Sequence, residues 1–117
     1  MPHFIIECSE NILQKKPASE ILQQVYDTAA STDLFALEGT GGIKVRINPY
    51  KFYTTVDSQD DFIHVFGNIM EGRSPEQKSE LSHKIIAALK SMFPDVPVIS
   101  MNIREFEKAS YCNKVMV

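Results

Sequence analysis

Apolar positions along this chain recur at two spacings, and the alternation between them predicts a strand-helix-strand order that occurs twice. His3-Phe4-Ile5-Ile6-Glu7-Cys8 is short, apolar and rich in β-forming residues, so it predicts a strand. Ser9 to Lys16 reads as a polar connection. Pro17 suits the first turn of a helix, on which Ile21, Leu22, Val25 and Ala29 share one face. Thr32-Asp33 ends that helix. Gly39-Thr40-Gly41-Gly42 reads as a turn with a positive φ at one of its positions. Ile43 to Ile47 alternates as a second strand, stopped by Asn48-Pro49, and Tyr50 to Val56 reads as a short strand or an extended connector.

The acidic run Asp57-Ser58-Gln59-Asp60-Asp61 divides the chain nearly in half. Phe62 to Met70 is the longest strand signal, and Glu71-Gly72-Arg73 a turn. Ser74-Pro75-Glu76-Gln77 is a strong helix start, with Ser74 as cap, Pro75 in the first turn and Gln77 completing a capping box. Leu81, Ile85, Ala88, Leu89 and Met92 form the apolar stripe, and Pro94 ends the helix. Val96 to Phe106 predicts a last strand, and Lys108 to Val117 a tail.

One domain of two βαβ repeats, about residues 1–58 and 59–117, follows from this order. The fold class is α/β: a four-stranded mixed sheet with two helices on one face. Phe4, Ile5, Ile6 and Cys8 are apolar in both parities, so the uncovered sheet face calls for an oligomer.

Composition narrows the function classes. The 117 residues are 44% apolar and 23% charged, ordinary for a globular domain and unlike a disordered or coiled-coil chain. Net charge is −3 with no basic stripe, which argues against a nucleic-acid partner. No apolar run approaches the ~18 residues of a membrane helix. The first residues lack a basic leader, so a cytoplasmic location is expected. Cys8 and Cys112 then read as buried, reduced thiols rather than a disulfide. Neither pairs with His3, His64 or His83 at metal-ligand spacing, so no metal site is expected.

Pro2 carries the most chemistry. A methionine preceding a small residue is a substrate for removal, which would leave a secondary amine at the start of a strand. An α-amine titrates near 7.7–8.0, and burial or nearby cations lower it toward the range of a general base. Proline is also simply a common second residue.

The surrounding residues add weight. Pro2-His3-Phe4-Ile5-Ile6-Glu7-Cys8-Ser9 resembles the opening of the 5-carboxymethyl-2-hydroxymuconate isomerase family, in the tautomerase superfamily. Glu71-Gly72-Arg73-Ser74-Pro75-Glu76-Gln77-Lys78 looks like the strand-to-helix turn of the related 4-oxalocrotonate tautomerases. The resemblance spans about residues 2–107. It implies a duplicated β-α-β trimer and a keto-enol isomerisation with no cofactor. The implied substrate is a small anion of the 2-hydroxymuconate type, above all 5-carboxymethyl-2-hydroxymuconate, in aromatic catabolism through homoprotocatechuate. It implies Pro2 as catalytic base and acid, and Arg73 as a contact to substrate carboxylate. The family's second arginine falls at Lys44, a departure: either Lys44 substitutes, or the register shifts and Arg46 serves.

Two other functions stay open, a 4-oxalocrotonate-type tautomerase and a non-catalytic ferredoxin-like oligomeric binding module. His64 alternates with Ile63 and Val65 and reads as structural; Glu7 and Glu71 have no evident partner. Phe35, Phe62 and Phe106 read as core.

Overall fold

The structure is a computed structural model and describes residues 1–35, 42–56 and 60–117. In chain order the elements are β1 (His3–Ser9), α1 (Ile12–Lys15), α2 (Ala18–Ser31), β2 (Lys44–Tyr50), β3 (Phe62–Met70), α3 (Pro75–Met92), β4 (Val98–Phe106) and a 3-10 turn at Lys114–Met116. The strands form one sheet in the order β2-β1-β3-β4. Both outer pairs are parallel, and the central β1–β3 pair is antiparallel. Each half thus supplies a parallel pair, and the halves join back to back through their first strands.

Strand alternation separates the two faces. Phe4, Ile6 and Cys8 of β1 and Ile63, Val65 and Ile69 of β3 are fully buried. They pack under Ile21, Val25 and Ala29 of α2 and Leu81, Ile85 and Leu89 of α3, which are equally buried. Each large aliphatic side chain removed from water in this way contributes about 1.5–3 kcal/mol. Gly67 lies among them because a Cβ there would stand 2.9 Å from Ile103 Cδ1 and from Met101 Cε. The missing side chain lets β4 close against the core.

Local signals are realised where they are self-contained. Ser74 caps α3 with the reciprocal Gln77 bonds of a capping box, and α3 starts at Pro75. Asp33 follows α2 at φ 60, a conformation that aspartate tolerates better than most residues. Gly42 has φ +50; Gly39, Thr40 and Gly41 of the expected turn lie outside the described residues, as do Asp57, Ser58 and Gln59.

Several expectations change. The connection after β1 contains α1, held in place by buried Ile12. β2 runs through Asn48-Pro49 to Tyr50 instead of stopping there. Among the described residues it is an edge strand, paired with β1 alone, where a residue lacking an N–H is tolerated. The chain then leaves the sheet, and residues 51–56 form no strand. β4 starts at Val98, after a turn in which Val96 N–H donates to the Phe93 carbonyl. Only Cys8 is a buried thiol; Cys112 is exposed on the segment after β4, away from the core. Burial, reinforced by the Asp61 carboxylate, pushes the Cys8 thiol up to about 11.

The face opposite the helices is mixed rather than apolar. Of the residues 4–8, only Ile5 contributes an aliphatic side chain to it, because Phe4, Ile6 and Cys8 all point to the core.

Candidate active site

Strand direction collects the candidate residues. β1 is parallel to β2 and antiparallel to β3. The starts of β1 and β2 therefore lie at the same end of the sheet as the ends of β3 and β4. Pro2, Lys44 and the Glu71-Gly72-Arg73 turn all belong to that end. Lys44 N–H donates to the Pro2 carbonyl at 3.0 Å, and Glu71 N–H to the Phe106 carbonyl at 3.1 Å.

Pro2 is fully buried. The Met1 amine donates to the Gly42 carbonyl at 2.8 Å, and Lys44 Nζ donates to the same oxygen at 2.9 Å. While Met1 is attached, the Pro2 nitrogen is a tertiary amide without basicity.

Arg73 is set by its turn. Gly72 takes φ +120, a value that strains any residue with a Cβ. The Arg73 guanidinium donates to the Leu34 carbonyl at 2.6 Å and the Met70 carbonyl at 3.2 Å. It lies 5.1 Å from the Phe35 ring centre, and Phe35 meets Phe4 edge-on. Two carbonyls and a ring face thus fix the plane of the cation.

Lys44, Arg46 and Arg104 lie on the open face. Register places Lys44, His3, Asn68 and Arg104 in one row across all four strands. Arg46 belongs to the next row, opposite Ile5, but its Nη1 reaches back to His3 Nδ1 at 3.1 Å. Arg104 Nε donates to Asn68 Oδ1 at 3.1 Å, and its guanidinium carbon lies 4.3 Å from the Phe66 ring centre. The His3 ring meets Phe106 edge-on. Burial, then the charges of Arg46, Lys44 and the amino terminus, hold the His3 pKa below its ordinary value.

The fold therefore brings Pro2, Lys44, Arg46 and Arg73 to one end of the sheet. Lys44 and Arg46 share the open face there, so both cations stand at the Pro2 end. Arg104, the Arg73–Phe35 stack and the His3–Arg46 contact were not legible in the sequence, where His3 was weighed only as a metal ligand and set aside. Each depends on register between distant strands, and the only visible trace was the position of His3 beside Pro2.

Other candidates resolve differently. Glu7 is partnered: Tyr50 Oη donates to Glu7 Oε2 at 2.9 Å, which raises the Tyr50 pKa. That pair lies toward the opposite end of the sheet. Glu71 is exposed on its turn. His64 is held by Ser100 Oγ at 2.7 Å and Asn102 Oδ1 at 2.6 Å and packs on Phe66, a structural arrangement. Phe35 is core, but Phe62 and Phe106 lie on the open face, against Tyr53 and His3 respectively. Among the described residues no cluster of His, Cys, Asp or Glu is arranged to hold a metal, and no helix is long and apolar enough to cross a membrane.

Comparison with known proteins identifies the family. The family model for 5-carboxymethyl-2-hydroxymuconate isomerase matches residues 2–115. A 5-carboxymethyl-2-hydroxymuconate Delta-isomerase of Escherichia coli is 32% identical over 95 residues, spanning 80% of this chain and 73% of that protein. The crystal structure of a 5-carboxymethyl-2-hydroxymuconate isomerase from Deinococcus radiodurans R1 superposes with a TM-score of 0.81 at 27% identity, over 97% of this chain and 88% of that one. A fused 4-OT described as a symmetric trimer shares the fold, with a TM-score of 0.76 at 12% identity over 98% of this chain and 94% of its own.

Proposed function

Because the chain belongs to the 5-carboxymethyl-2-hydroxymuconate isomerase family, and is an isomerase with the tautomerase fold, we propose that it isomerises 5-carboxymethyl-2-hydroxymuconate with Pro2 as the proton carrier. The observation that carries this reading is the gathering of Pro2, Lys44, Arg46 and Arg73 at one end of the sheet, produced by the β1–β2 and β1–β3 registers.

Removal of Met1 turns the Pro2 nitrogen into a secondary amine. The neighbouring cations disfavour its protonated form, so it is a base near neutral pH. The neutral amine takes the proton of the enol hydroxyl. The oxygen lone pair closes a carbonyl, the double bonds shift, and the distal carbon takes the proton back from the Pro2 ammonium. Protons and electrons balance within substrate and amine, and no cofactor takes part. Arg73 grips one carboxylate, where a planar fork allows two parallel hydrogen bonds. Lys44 supplies the second cation and Arg46 a third, which suits a substrate with three carboxylates. The charges of Arg73 and Lys44 also stabilise the dienolate as it develops, whereas Arg46 contributes to binding.

We further propose that the working form is a homotrimer in which the open sheet face is covered by neighbouring subunits. A symmetric-trimer relative with this fold supports that assembly.

The test is an ultraviolet assay of 2-hydroxymuconate analogues on protein whose amino terminus is verified by mass. Turnover of the tricarboxylate above that of 2-hydroxymuconate is expected. A preference for the dicarboxylate would overturn the substrate assignment, and no turnover of any analogue by protein starting at Pro2 would overturn the activity. Light scattering should return three times the 13.2 kDa chain mass. A monomer at micromolar concentration would overturn the assembly.

A further inference from the structure

Of the hydrogen bonds at the Pro2 end, the one between Arg46 and His3 has a polarity fixed by chemistry. A guanidinium has only donors, so His3 Nδ1 is the acceptor and the ring is neutral with its proton on Nε2. The register sets Arg46 beside Ile5, yet this bond draws its guanidinium back to the residue that follows Pro2. Among the described residues, the charges that act on His3 are cations. β2 contributes Lys44 and Arg46, the Met1 amine adds a third charge while Met1 is attached, and β4 contributes Arg104 in the same row. β3 offers the neutral Asn68, and the Phe106 ring covers one edge of the imidazole.

We propose that His3 is a positioning residue: its neutral imidazole tethers Arg46 at the Pro2 end, where Arg46 joins Lys44 in facing the anionic substrate, and protonation of His3 releases it. A protonated ring would point Nδ1–H at a guanidinium N–H, replacing a hydrogen bond with repulsion between cations. The tether is present above the His3 pKa and is lost as pH falls through it. The depressed His3 pKa agrees, because a ring that accepts from one cation and faces others resists a proton. This inference rests on the isomerase reading of the site.

The experiment compares His3→Ala, His3→Asn, Arg46→Ala and the double variant His3→Ala/Arg46→Ala, all starting at Pro2. Asparagine places an acceptor oxygen where Nδ1 stood and does not titrate in this range. His3→Ala and Arg46→Ala should each raise KM by about tenfold with little change in kcat, the pattern of a lost binding contact. The double variant should be no worse than Arg46→Ala alone, because one contact is removed twice. His3→Asn should recover most of the loss. On the acid side, log kcat/KM of the parent should lose about one further decade as pH falls through the His3 pKa, beyond the single slope of Pro2, and His3→Asn should keep that single slope alone. Nitrogen NMR of the parent imidazole should show Nδ1 unprotonated, and Arg46→Ala should raise the His3 pKa.

Additive losses in the double variant, a protonated Nδ1 in the neutral ring, or an unchanged pKa in Arg46→Ala would each overturn the tether while leaving a Pro2-dependent isomerase intact. Absence of any Pro2-dependent turnover would overturn the isomerase reading, and the positioning role would fall with it even if the NMR showed the bond.

Discussion

The two ends of the sheet are built from equivalent pieces and have opposite character. Pro2 immediately precedes β1, and Asp61 immediately precedes β3. Counted from the last residue of those strands, one half runs Met70-Glu71-Gly72-Arg73 and the other Ser9-Glu10-Asn11-Ile12. At the Pro2 end the turn presents Arg73. At the Asp61 end the matching position is Ile12, buried in the core. The Asp61 carboxylate accepts from Ser9 Oγ at 2.8 Å and Asn11 Nδ2 at 2.9 Å, with Lys15 Nζ 3.9 Å away. One end is stapled shut by its own side chains, whereas the other gathers Lys44, Arg46, Arg73 and Arg104. A duplicated fold offers two equivalent sheet ends, and side chains, not topology, give them their different character.

Substitution at the residue preceding each first strand tests that contrast most sharply. Pro2→Ala, with its amino terminus verified, should lower kcat/KM. Loss of a general base costs about 10²–10⁴-fold, and the primary amine of alanine should retain part of that. Activity of the parent should rise with pH as the amine loses its proton. Parent-like turnover in Pro2→Ala would erase the functional difference between the ends.

The cations come next. Arg73→Ala and Lys44→Ala should each cost about 2–4 kcal/mol in kcat/KM, read from steady-state kinetics, because a substrate carboxylate is left unpaired. Arg73→Lys should recover only part, since lysine has no planar fork. Lys44→Arg should be tolerated or should raise activity, as it restores the family's residue. Arg46→Ala should matter less than Lys44→Ala. The reverse order would move the second binding position two residues along β2.

At the other end the effect should be on stability alone. Asp61→Ala leaves the buried Ser9 hydroxyl without its acceptor, at about 1–3 kcal/mol by denaturant midpoint, with kcat/KM of the folded protein unchanged. Asp61→Asn should cost less, because an acceptor oxygen remains. A fall in turnover with unchanged stability would mean that this end takes part in catalysis.

The smallest effect concerns the thiols. In native protein a disulfide-exchange reagent should modify Cys112 at once, and Cys8 only on unfolding. With its pKa raised to about 11, neutral Cys8 contributes stability that is present below the ordinary thiol range and is lost as pH rises through about 11. Two thiols reacting together would place Cys8 outside the core.

Much of this was legible before any tertiary contact was known. The alternation of Phe62–Met70, the stripe Leu81–Ile85–Leu89 and the Ser74–Gln77 capping box are carried by residues close in sequence, and each appears where expected. α1 was not legible, because a four-residue helix has little signal of its own and Ile12 is fixed by the core it enters. The run of β2 past Pro49 was missed as well, since proline ends a central strand but is tolerated on an edge, and edge status belongs to the whole sheet. The same limit hid the partner of Glu7, Tyr50, which is 43 residues away.

By itself the sequence determined the main strands and the two long helices, the buried stripe of each long helix, and which residues near Pro2 carry charge. Those properties follow from side-chain period and from caps that close within a few residues. Tertiary structure decided that Pro2, Lys44 and Arg73 share one end, that Arg46 leans back to His3, and that Asp61 closes the other end. Each of these depends on the register between strands far apart in the chain, where a shift of one residue moves every side chain to the opposite face.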